Sequence, residues 1–298
     1  MLVSIIIRTL NEQQHLHELL SQIKKQKKDG FEIEVVLIDS GSIDKTIEIA
    51  KSFGCRITSI EKNQFTFGRS LNMGSDFSNG DILVYISGHC IPVSDKWLAD
   101  LVKPIINGIA GYSYGRQMGR DTTKFSERRL FQKYFPNKSK IPQEGFFCNN
   151  ANSAIKRSVW FKYMFNEEIT GLEDMELSKR YYIEEGNIAY VADASVYHIH
   201  NETWKQTKTR YEREAIALQK IMPEVHVNIF DTIRYIFVAI ISDSKLAFKE
   251  GCFTKEFYEI IKFRLAQFIG TYKGNHNQRV LSKKQKENYF YPNNTSGD

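Results

Sequence analysis

Four short apolar runs, each followed by a segment of helical character, constrain the fold of this chain more than any other feature. The runs lie at residues 2–7, 33–40, 55–60 and 81–87. The first helical segment carries Leu16, Leu19, Leu20 and Ile23 on one face, and the next two cover residues 44–51 and 69–78. Alternation of strand and helix at short spacing is typical of a parallel sheet with helices on both faces. We therefore predict an α/β fold.

In such a sheet, ligands bind beyond the carboxyl ends of the strands. Three polar segments follow the first, second and fourth runs, at residues 8–12, 39–44 and 87–92. We expect the chemistry of the protein at these segments.

The pattern changes after residue 104. Glycines and a basic stretch over 124–140 predict a connecting strand and a long mobile loop up to residue 150. A helix over 173–185 and a strand over 188–200 follow, and helical spacing then continues from Trp204 to about Gly270. The tail from Lys273 is polar, and we expect it to be frayed. We predict a catalytic domain over residues 1–205 and a basic, amphipathic helical C-terminal region over residues 206–298.

The net charge of +6 is unevenly placed. Residues 1–204 hold 25 basic and 25 acidic residues, whereas residues 205–298 hold 16 and 10. A neutral body with a basic region indicates an enzyme with an attached surface that meets something anionic, and it argues against nucleic acid as partner. An anionic membrane surface fits this region. A helical cap or a homodimer face is the alternative.

The four cysteines are far apart and form no CxxC pair, which excludes a zinc ribbon and argues against a disulfide framework. The N-terminus lacks the features of a secretion signal. The most apolar stretch, residues 229–241, contains Asp231 and Arg234 and is too short to span a bilayer. We expect a cytoplasmic protein that is either free or peripheral on the inner face of the membrane.

The segment after the second run, Asp39-Ser-Gly-Ser-Ile-Asp44-Lys-Thr46, has two interpretations. Asp39 at a strand end can accept hydrogen bonds from a base or ribose, while backbone N–H groups at Ser42 and the following helix meet phosphate. Alternatively, the segment is a plain strand-to-helix turn with Asp44 as the N-cap. The chain has neither GxGxxG nor GxxxxGK[ST], so a dinucleotide fingerprint and a P-loop are both excluded.

Several motifs in order make the sequence similar to family-2 glycosyltransferases, which have the GT-A nucleotide-diphosphosugar fold. They are SIIIRTLNE (4–12), VVLIDSGSIDKT (35–46), FGRSLNMG (67–74), DILVYISGHCIPVSDKWL (81–98), YGRQMGRD (114–121), FCNNANSAIKRSVW (147–160), GLEDMELSKR (171–180) and VYHIHNETWKQ (196–206). The GRQ element, the ERR of 127–129 and the HIHNETWKQ stretch most resemble the bacterial rhamnosyltransferase-type subgroup. The resemblance covers about residues 1–215 and implies a mixed, mainly parallel GT-A sheet.

The resemblance also implies roles for individual residues. Thr9, Glu12 and Asp39, with Ser42, match positions that hold the nucleotide, and Arg69 matches one that meets nucleotide or phosphate. Its alternative is a solvated helix charge. Ser87 and His89 are further candidates for binding the donor. Arg210 and Arg213, one turn apart on a helix, are expected to close over the diphosphate, with surface arginines as the alternative.

The sequence departs from the family at Ser87-Gly88-His89, where most members carry an Asp-x-Asp that binds a divalent metal. Here His89 replaces the last carboxylate, so Mn²⁺ or Mg²⁺ dependence is in doubt. An imidazole can ligate Mn²⁺ or a softer ion, or it can pair with the diphosphate when protonated. His198, which shares a strand face with His200, matches a position facing the metal or diphosphate, so His89 and His198 are the candidate metal ligands. A polar loop histidine at position 89 is the alternative, and we read Cys90 as a small buried filler.

Glu173-Asp174 opens the helix over 173–185. Direct displacement at a sugar needs a base for the acceptor hydroxyl, and neighbouring helix residues point about 100° apart, so only one of the two can face the substrate. By the resemblance, Asp174 is the base and Glu173 places it or binds the acceptor. The alternative is a pair of acids that favour the helix dipole. Asn150 and Trp204 are the candidate acceptor residues, Trp204 by stacking on a sugar ring. A core or membrane-facing tryptophan is its alternative.

The resemblance implies an inverting glycosyltransferase that uses a UDP-, dTDP- or CDP-type sugar donor and a glycan or lipid-linked acceptor in bacterial surface polysaccharide synthesis, such as capsule or O-antigen. A nucleotidyltransferase would carry a glycine-rich basic loop near the first strand, and RTLNEQQH has no glycine. The remaining alternative is a nucleotide-sugar-binding protein of the same fold with lost or altered catalysis. The retained Glu173-Asp174 argues against such decay.

Overall fold

The computed structural model describes residues 1–184, 186–277 and 289–290. Its Cα positions form two compact units. The sheet unit comprises Met1–Arg120, Tyr134–Glu168 and Glu173–Ile199, and the helical unit comprises Asp121–Lys133, Ile169–Leu172 and the described part of His200–Asp298. Each unit is described below by itself.

Eight strands form one mixed sheet, which confirms the predicted α/β class. They are β1 (Leu2–Thr9), β2 (Glu32–Asp39), β3 (Arg56–Ser59), β4 (Ile82–Ser87), β5 (Cys90–Pro92), β6 (Tyr112–Met118), β7 (Asn152–Lys156) and β8 (Ile188–His198). The helices around them are α1 (Gln13–Lys24), α2 (Thr46–Ser52), α3 (Phe67–Phe77), α4 (Trp97–Ile106), α6 (Arg157–Tyr163) and α7 (Glu173–Ile183).

The strand order is β3-β2-β1-β4-β7-β6-β8-β5. β1 runs parallel to β2 and β4, and β2 runs parallel to β3. The register pairs Thr9 with Asp39 and Arg8 with Ser87, so the polar residues that end three strands meet at one edge of the sheet. β7 is antiparallel to both β4 and β6, and this reversal sets the start of β7 at the same edge, with Asn152 opposite Ile86.

Apolar β-branched side chains explain the central strands. Ile5, Ile6 and Ile7 of β1 are all fully buried, as are Leu83 and Val84 of β4. A strand that buries consecutive residues must be covered on both faces, and α1 supplies one cover through Leu16, Leu19, Leu20 and Ile23. The first four apolar runs of the sequence are therefore strands, as predicted.

The loop predicted between residues 104 and 150 is wrong in part. Its connecting strand exists as β6, but Phe125–Tyr134 forms helix α5, which buries Phe125 and Phe131. α5 also buries Glu127, so a charged residue occupies a position at which an amphipathic helix usually has an apolar one. The helical pattern is therefore weak in the sequence. The predicted last strand is shorter than expected, since β8 ends at His198 and His200 lies beyond it.

Helices α8 (Trp204–Ile221), α9 (Ile229–Lys249) and α10 (Phe253–Asn275) form most of the helical unit. Gly270 and Gly274 of α10 lie against the backbone of α8 at Lys208 and Glu212, where a Cβ atom would collide with carbonyl oxygens. The polar tail predicted from Lys273 begins inside α10, and its remainder lies outside the described residues. Among the described helices, none combines the length and apolar character that crossing a membrane requires.

Candidate active site

The carboxylate of Asp39 is the centre of a dense hydrogen-bond cluster at the ends of β1 and β2. Thr9 Oγ1 donates to Asp39 Oδ1 at 3.0 Å, and Ser42 Oγ donates to the same oxygen at 2.5 Å. The backbone N–H groups of Gly41 and Ser42 donate to Asp39 Oδ2 at 2.9 and 2.8 Å. Gly41 has φ +97°, a left-handed conformation that favours glycine. The structure thus brings together Thr9, Asp39 and Ser42, three of the predicted nucleotide residues.

Asp44 is not the N-cap that the turn interpretation expected, since α2 begins at Thr46 with Lys45 as its N-cap. Its carboxylate accepts from the backbone N–H groups of Gln13 at 3.1 Å and Thr46 at 2.9 Å. It therefore holds the start of α2 and ties this turn to α1.

Glu12 contacts the residue that replaces the family's metal-binding carboxylate. Glu12 Oε1 lies 2.8 Å from Nδ1 of His89. Gly88, which precedes His89, lies against the Glu12 side chain. A Cβ atom at position 88 would lie 2.8 Å from Cγ of Glu12, so a larger residue there would collide with Glu12. The sequence did not predict this pairing, because the two residues are 77 positions apart.

His198 has a matching arrangement. Its Nδ1 lies 2.7 Å from Oε1 of Gln117, the glutamine of the GRQ element. The β5–β8 register sets Cys90 opposite His198, and the rings of His89 and His198 stack with centroids 5.3 Å apart. Because Nδ1 of each ring already has an oxygen partner, any bond to a metal has to come from Nε2.

Burial of Cys90 raises the pKa of its thiol well above the ordinary value, as burial also does for Cys148. Both side chains are almost fully inaccessible. Cys90 is therefore the buried filler that we expected rather than a ligand.

Asp174 is a buried carboxylate at the start of α7. Its Oδ2 accepts from the backbone N–H of Asn150 at 2.8 Å, and its Oδ1 accepts from that of Met175 at 2.7 Å. Burial, and then the neighbouring charge of Glu173, raises the pKa of Asp174 to about 7. A carboxylate of that pKa is a far stronger proton acceptor than an exposed aspartate.

Glu173 points to a different partner, as the angle between helix neighbours requires. Its Oε1 lies 3.5 Å from Nη1 of Arg8, and the guanidinium of Arg8 lies 4.8 Å from the ring centroid of Phe67. Burial lowers the pKa of Arg8, and the charge of Glu173 opposes that effect. Arg8 was missed as a site residue, although it stands within the SIIIRTLNE motif.

Asn150 lies between Asp174 and the interior of the sheet. Its Oδ1 accepts from the hydroxyls of Tyr112 at 2.6 Å and Ser153 at 2.7 Å. Its Nδ2 is buried and makes no hydrogen bond to any other described residue. A buried donor without an acceptor is rare and points to a group that binds there.

Arg69 forms an ion pair with Glu167, a residue that the sequence did not point to. Its Nε donates to Glu167 Oε2 at 2.8 Å, and Asn72 Nδ2 donates to Glu167 Oε1 at 3.0 Å. Arg69 is therefore held in an ion pair and is not a plain solvated helix charge. Ser87 ends β4 beside Arg8 of β1.

The remaining candidates belong to the helical unit. Arg210 donates from Nε to Glu202 at 3.0 Å and from Nη2 to Glu127 at 2.7 Å, so it is not the exposed arginine of the alternative interpretation. Burial alone would raise the pKa of Glu202, but the guanidinium of Arg210 holds it at about 2. Nδ1 of His200 lies 2.8 Å from Glu127. Lys124 and Lys262 lie 5.5 and 5.9 Å from the ring of Trp204, and Arg213 Nη1 donates to the carbonyl of Tyr289 at 3.0 Å.

The strand order, with polar residues gathered at the carboxyl edge of a mainly parallel sheet, defines the GT-A fold of nucleotide-sugar-dependent transferases. A mannosyltransferase from Pyrobaculum calidifontis, solved with GDP-Man and Mn²⁺, superposes with a TM-score of 0.65 at 14% identity, over 93% of this chain and 88% of that one. The model of glycosyl transferase family 2 matches residues 4–162, and the chain belongs to that family.

Two curated relatives agree with this assignment. The O-antigen chain rhamnosyltransferase RfbN of Salmonella typhimurium is 25% identical over 223 residues, which cover 71% of this chain and 70% of that protein. The poly(ribitol-phosphate) beta-N-acetylglucosaminyltransferase TarS of Staphylococcus aureus (strain Mu50) is 21% identical over 257 residues, or 80% of this chain and 40% of TarS. The chain thus spans less than half the length of TarS. The protein is a glycosyltransferase, as predicted.

Proposed function

We propose that this protein is an inverting glycosyltransferase that moves a sugar from a nucleoside-diphosphate donor to a hydroxyl of a glycan or lipid-linked acceptor, in the synthesis of a bacterial surface polysaccharide such as capsule or O-antigen. The observation that carries this proposal is the buried carboxylate of Asp174. The names of RfbN and TarS refer to an O-antigen chain and to poly(ribitol-phosphate), and to two different sugars, so they support a polymer as the acceptor and leave the sugar open.

Asp174 acts as the general base. Two backbone N–H groups fix its carboxylate, and its pKa of about 7 matches the operating pH of a base. The acceptor hydroxyl gives its proton to Asp174 while its oxygen bonds to the anomeric carbon. The bond from that carbon to the diphosphate oxygen breaks, and its electron pair leaves with the nucleoside diphosphate. One displacement from the opposite face inverts the configuration.

The ion pair with Arg8 keeps the carboxylate of Glu173 from taking part in the proton transfer. The ion pair gives Glu173 a cation as partner, so the charge beside Asp174 is fixed in place. Glu173 is therefore a positioning residue that sustains the raised pKa of Asp174.

The Asp39 cluster is the proposed nucleotide pocket. Thr9 and Ser42 donate to the carboxylate of Asp39 and hold it in one orientation at the strand ends, where we propose that the base and ribose bind. We keep Arg69, Ser87, Arg210 and Arg213 as predicted contacts of the donor phosphates, with UDP, dTDP or CDP as the nucleotide. We still propose that residues 1–205 form the catalytic domain and that residues 206–298 form a basic, amphipathic helical region.

The fold family implies a divalent metal, and the two histidines present fit a metal that accepts nitrogen ligands. His89 and His198 would hold it through Nε2, and Glu12 and Gln117 fix the two rings. Two imidazoles favour Mn²⁺ or a softer ion over Mg²⁺, which prefers oxygen ligands. When bound, such an ion neutralises charge on the leaving diphosphate. Glu12, predicted to bind nucleotide, is proposed here as a positioning residue for His89.

The acceptor side is proposed at Asn150 and Trp204. The buried Nδ2 of Asn150 is a donor beside the general base, suited to a sugar hydroxyl. Trp204 is kept as a predicted sugar-stacking residue. Further proposed partners are an anionic membrane surface and a second copy of the chain.

The test measures donor turnover and donor binding in the same variants. Asp174→Asn should lose at least 100-fold in the release of nucleoside diphosphate from a panel of nucleotide sugars, because removal of a general base has this effect. It should bind the nucleotide as the unaltered protein does, which a thermal-shift titration measures. Asp193→Asn, a change at an exposed carboxylate of β8, is the matched control. Full turnover in Asp174→Asn refutes the role of Asp174.

The competing function is a nucleotide-sugar-binding protein that lacks transfer. The absence of an Asp-x-Asp at Ser87-Gly88-His89 is the observation that favours it. Binding without any turnover, with or without Mn²⁺, would support this alternative and overturn the proposed catalysis.

A further inference from the structure

Helix α9 packs Ile240 and Leu246 against a small buried cluster but leaves several large apolar side chains exposed to solvent. Phe230, Phe237 and Phe248 are 79%, 63% and 76% exposed. The buried residues of this helix are Thr232, Asp243 and Ala247. An ordinary surface helix buries its large apolar side chains, and exposed phenylalanines contribute nothing to attaching α9 to the core.

Five of the exposed apolar residues lie along one side of the helix. At 100° per residue, positions 230, 237, 241 and 248 fall within about 20° of a common direction, and position 233 lies about 60° to one side. We call Phe230, Ile233, Phe237, Ile241 and Phe248 the outer ridge. It extends over about 27 Å of helix. Large exposed apolar surfaces of this kind mark sites of interaction.

Cations border the outer ridge and carboxylates avoid it. Arg234, Lys245 and Lys249 are exposed along one flank. The two acids inside α9 are engaged elsewhere. Asp243 accepts from Ser126 Oγ at 2.6 Å and from Arg264 Nε at 2.8 Å, and Asp231 accepts from the backbone N–H of Asn228 at the helix start.

We propose that the outer ridge docks α9 flat on the surface of a bilayer that contains anionic phospholipids. The phenylalanine and isoleucine side chains enter the boundary between headgroups and acyl chains, and the flanking cations meet lipid phosphates. Antiparallel pairing of the ridge with that of a second copy fits less well, because it would set the three cations of both protomers on the same side of the interface. The inference deepens the membrane partner of the proposed function, and it concerns the helical unit alone.

Flotation with vesicles tests the proposal on the full chain. We expect the protein to float with vesicles of phosphatidylcholine and phosphatidylglycerol at 7:3, and to bind pure phosphatidylcholine vesicles at least tenfold more weakly. Phe230→Glu with Phe237→Glu should reduce binding to the anionic vesicles at least tenfold. Lys245→Gln with Lys249→Gln should reduce it about 30-fold, since each cation near such a surface contributes about a factor of five.

Phe161→Glu is the matched control, because Phe161 is 76% exposed on α6 in the sheet unit. It should leave vesicle binding unchanged. Circular dichroism of the ridge variants should match that of the unaltered chain, since the side chains changed are exposed and contribute little to packing. Donor turnover is a separate readout, so failure here leaves the role of Asp174 untouched.

Three results would overturn the proposal. The first is no flotation of the unaltered chain with anionic vesicles. The second is equal flotation of the double phenylalanine variant. The third is a dimer in vesicle-free buffer that Phe237→Glu converts to a monomer, seen by sedimentation velocity, because the outer ridge would then be a protein interface.

Discussion

Asp174 should destabilise the folded protein at neutral and alkaline pH, and Asp174→Asn should remove this effect. Burial and the charge of Glu173 raise the pKa of Asp174 from 3.8 to about 7. The folded state thus favours the neutral form of the Asp174 carboxyl. In the unfolded chain the same carboxyl ionises near its ordinary pKa of 3.8. An asparagine cannot ionise and keeps an oxygen that can accept from the N–H of Asn150.

The size of the effect follows from the pKa shift. One pKa unit corresponds to about 1.4 kcal/mol, so a shift of about three units corresponds to about 4 kcal/mol. Because the folded pKa is the higher one, the contribution of the carboxyl to stability is fully present below pH 4. It is lost progressively as the pH rises towards 7, and it changes no further above that.

Thermal unfolding from pH 4 to pH 9 in EDTA-containing buffers measures this loss. In a chain of this size, about 1 kcal/mol shifts Tm by about 2 °C. The Tm of Asp174→Asn minus that of the unaltered protein should therefore increase by about 8 °C as the pH rises from 4 to 8. Asp193→Asn, which removes an exposed carboxylate of β8, is the control for the loss of one acidic side chain.

A difference in Tm that does not change with pH would refute the reasoning, because it would mean that Asp174 titrates like an exposed aspartate. The same carboxyl links stability to activity. Turnover should fall about tenfold per pH unit below pH 7, where Asp174 becomes protonated and cannot accept the hydroxyl proton.

Three further predictions concern other parts of the chain. Glu12→Ala should weaken Mn²⁺ binding 10- to 100-fold, since the ring of His89 loses its orienting partner, and the signal of free Mn²⁺ in paramagnetic resonance measures it. Arg264→Met should lower the free energy of unfolding by about 3–5 kcal/mol in urea titrations, because Asp243 is left as an unpaired buried charge, and an added Asp243→Asn should restore part of it. Gly274→Ala should lower it by about 1–3 kcal/mol, because the new Cβ collides with a carbonyl of α8, and an unchanged urea midpoint would contradict this.

The sequence predicted the strands that bury consecutive residues. β1, β2 and β4 are runs of Ile, Val and Leu, and burial on both faces leaves that signature whatever the neighbours are. The edge at which Thr9, Asp39 and Ser87 meet followed from the same runs, because parallel strands align their carboxyl ends.

Other features depend on partners that are distant in the chain. Helix α5 was missed because Glu127 is buried by pairing with Arg210 and His200 rather than by apolar contact. The reversal of β7 and the pairing of Gln117 with His198 come from the order of strands in the sheet, which no local pattern encodes. Glu167 was missed for the same reason, since its partners Arg69 and Asn72 lie more than 90 residues away.

The burial of Cys90 and Cys148 has a consequence for redox chemistry. Oxidants and alkylating reagents attack the thiolate, and burial keeps Cys90 and Cys148 as thiols at neutral pH. Burial likewise raises the pKa of Cys55 to about 11. Although Cys90 adjoins His89, the proposed metal site has no redox-sensitive sulfur beside it. We therefore expect Cys90 and Cys148 to stay unmodified in mildly oxidising media while the protein is folded.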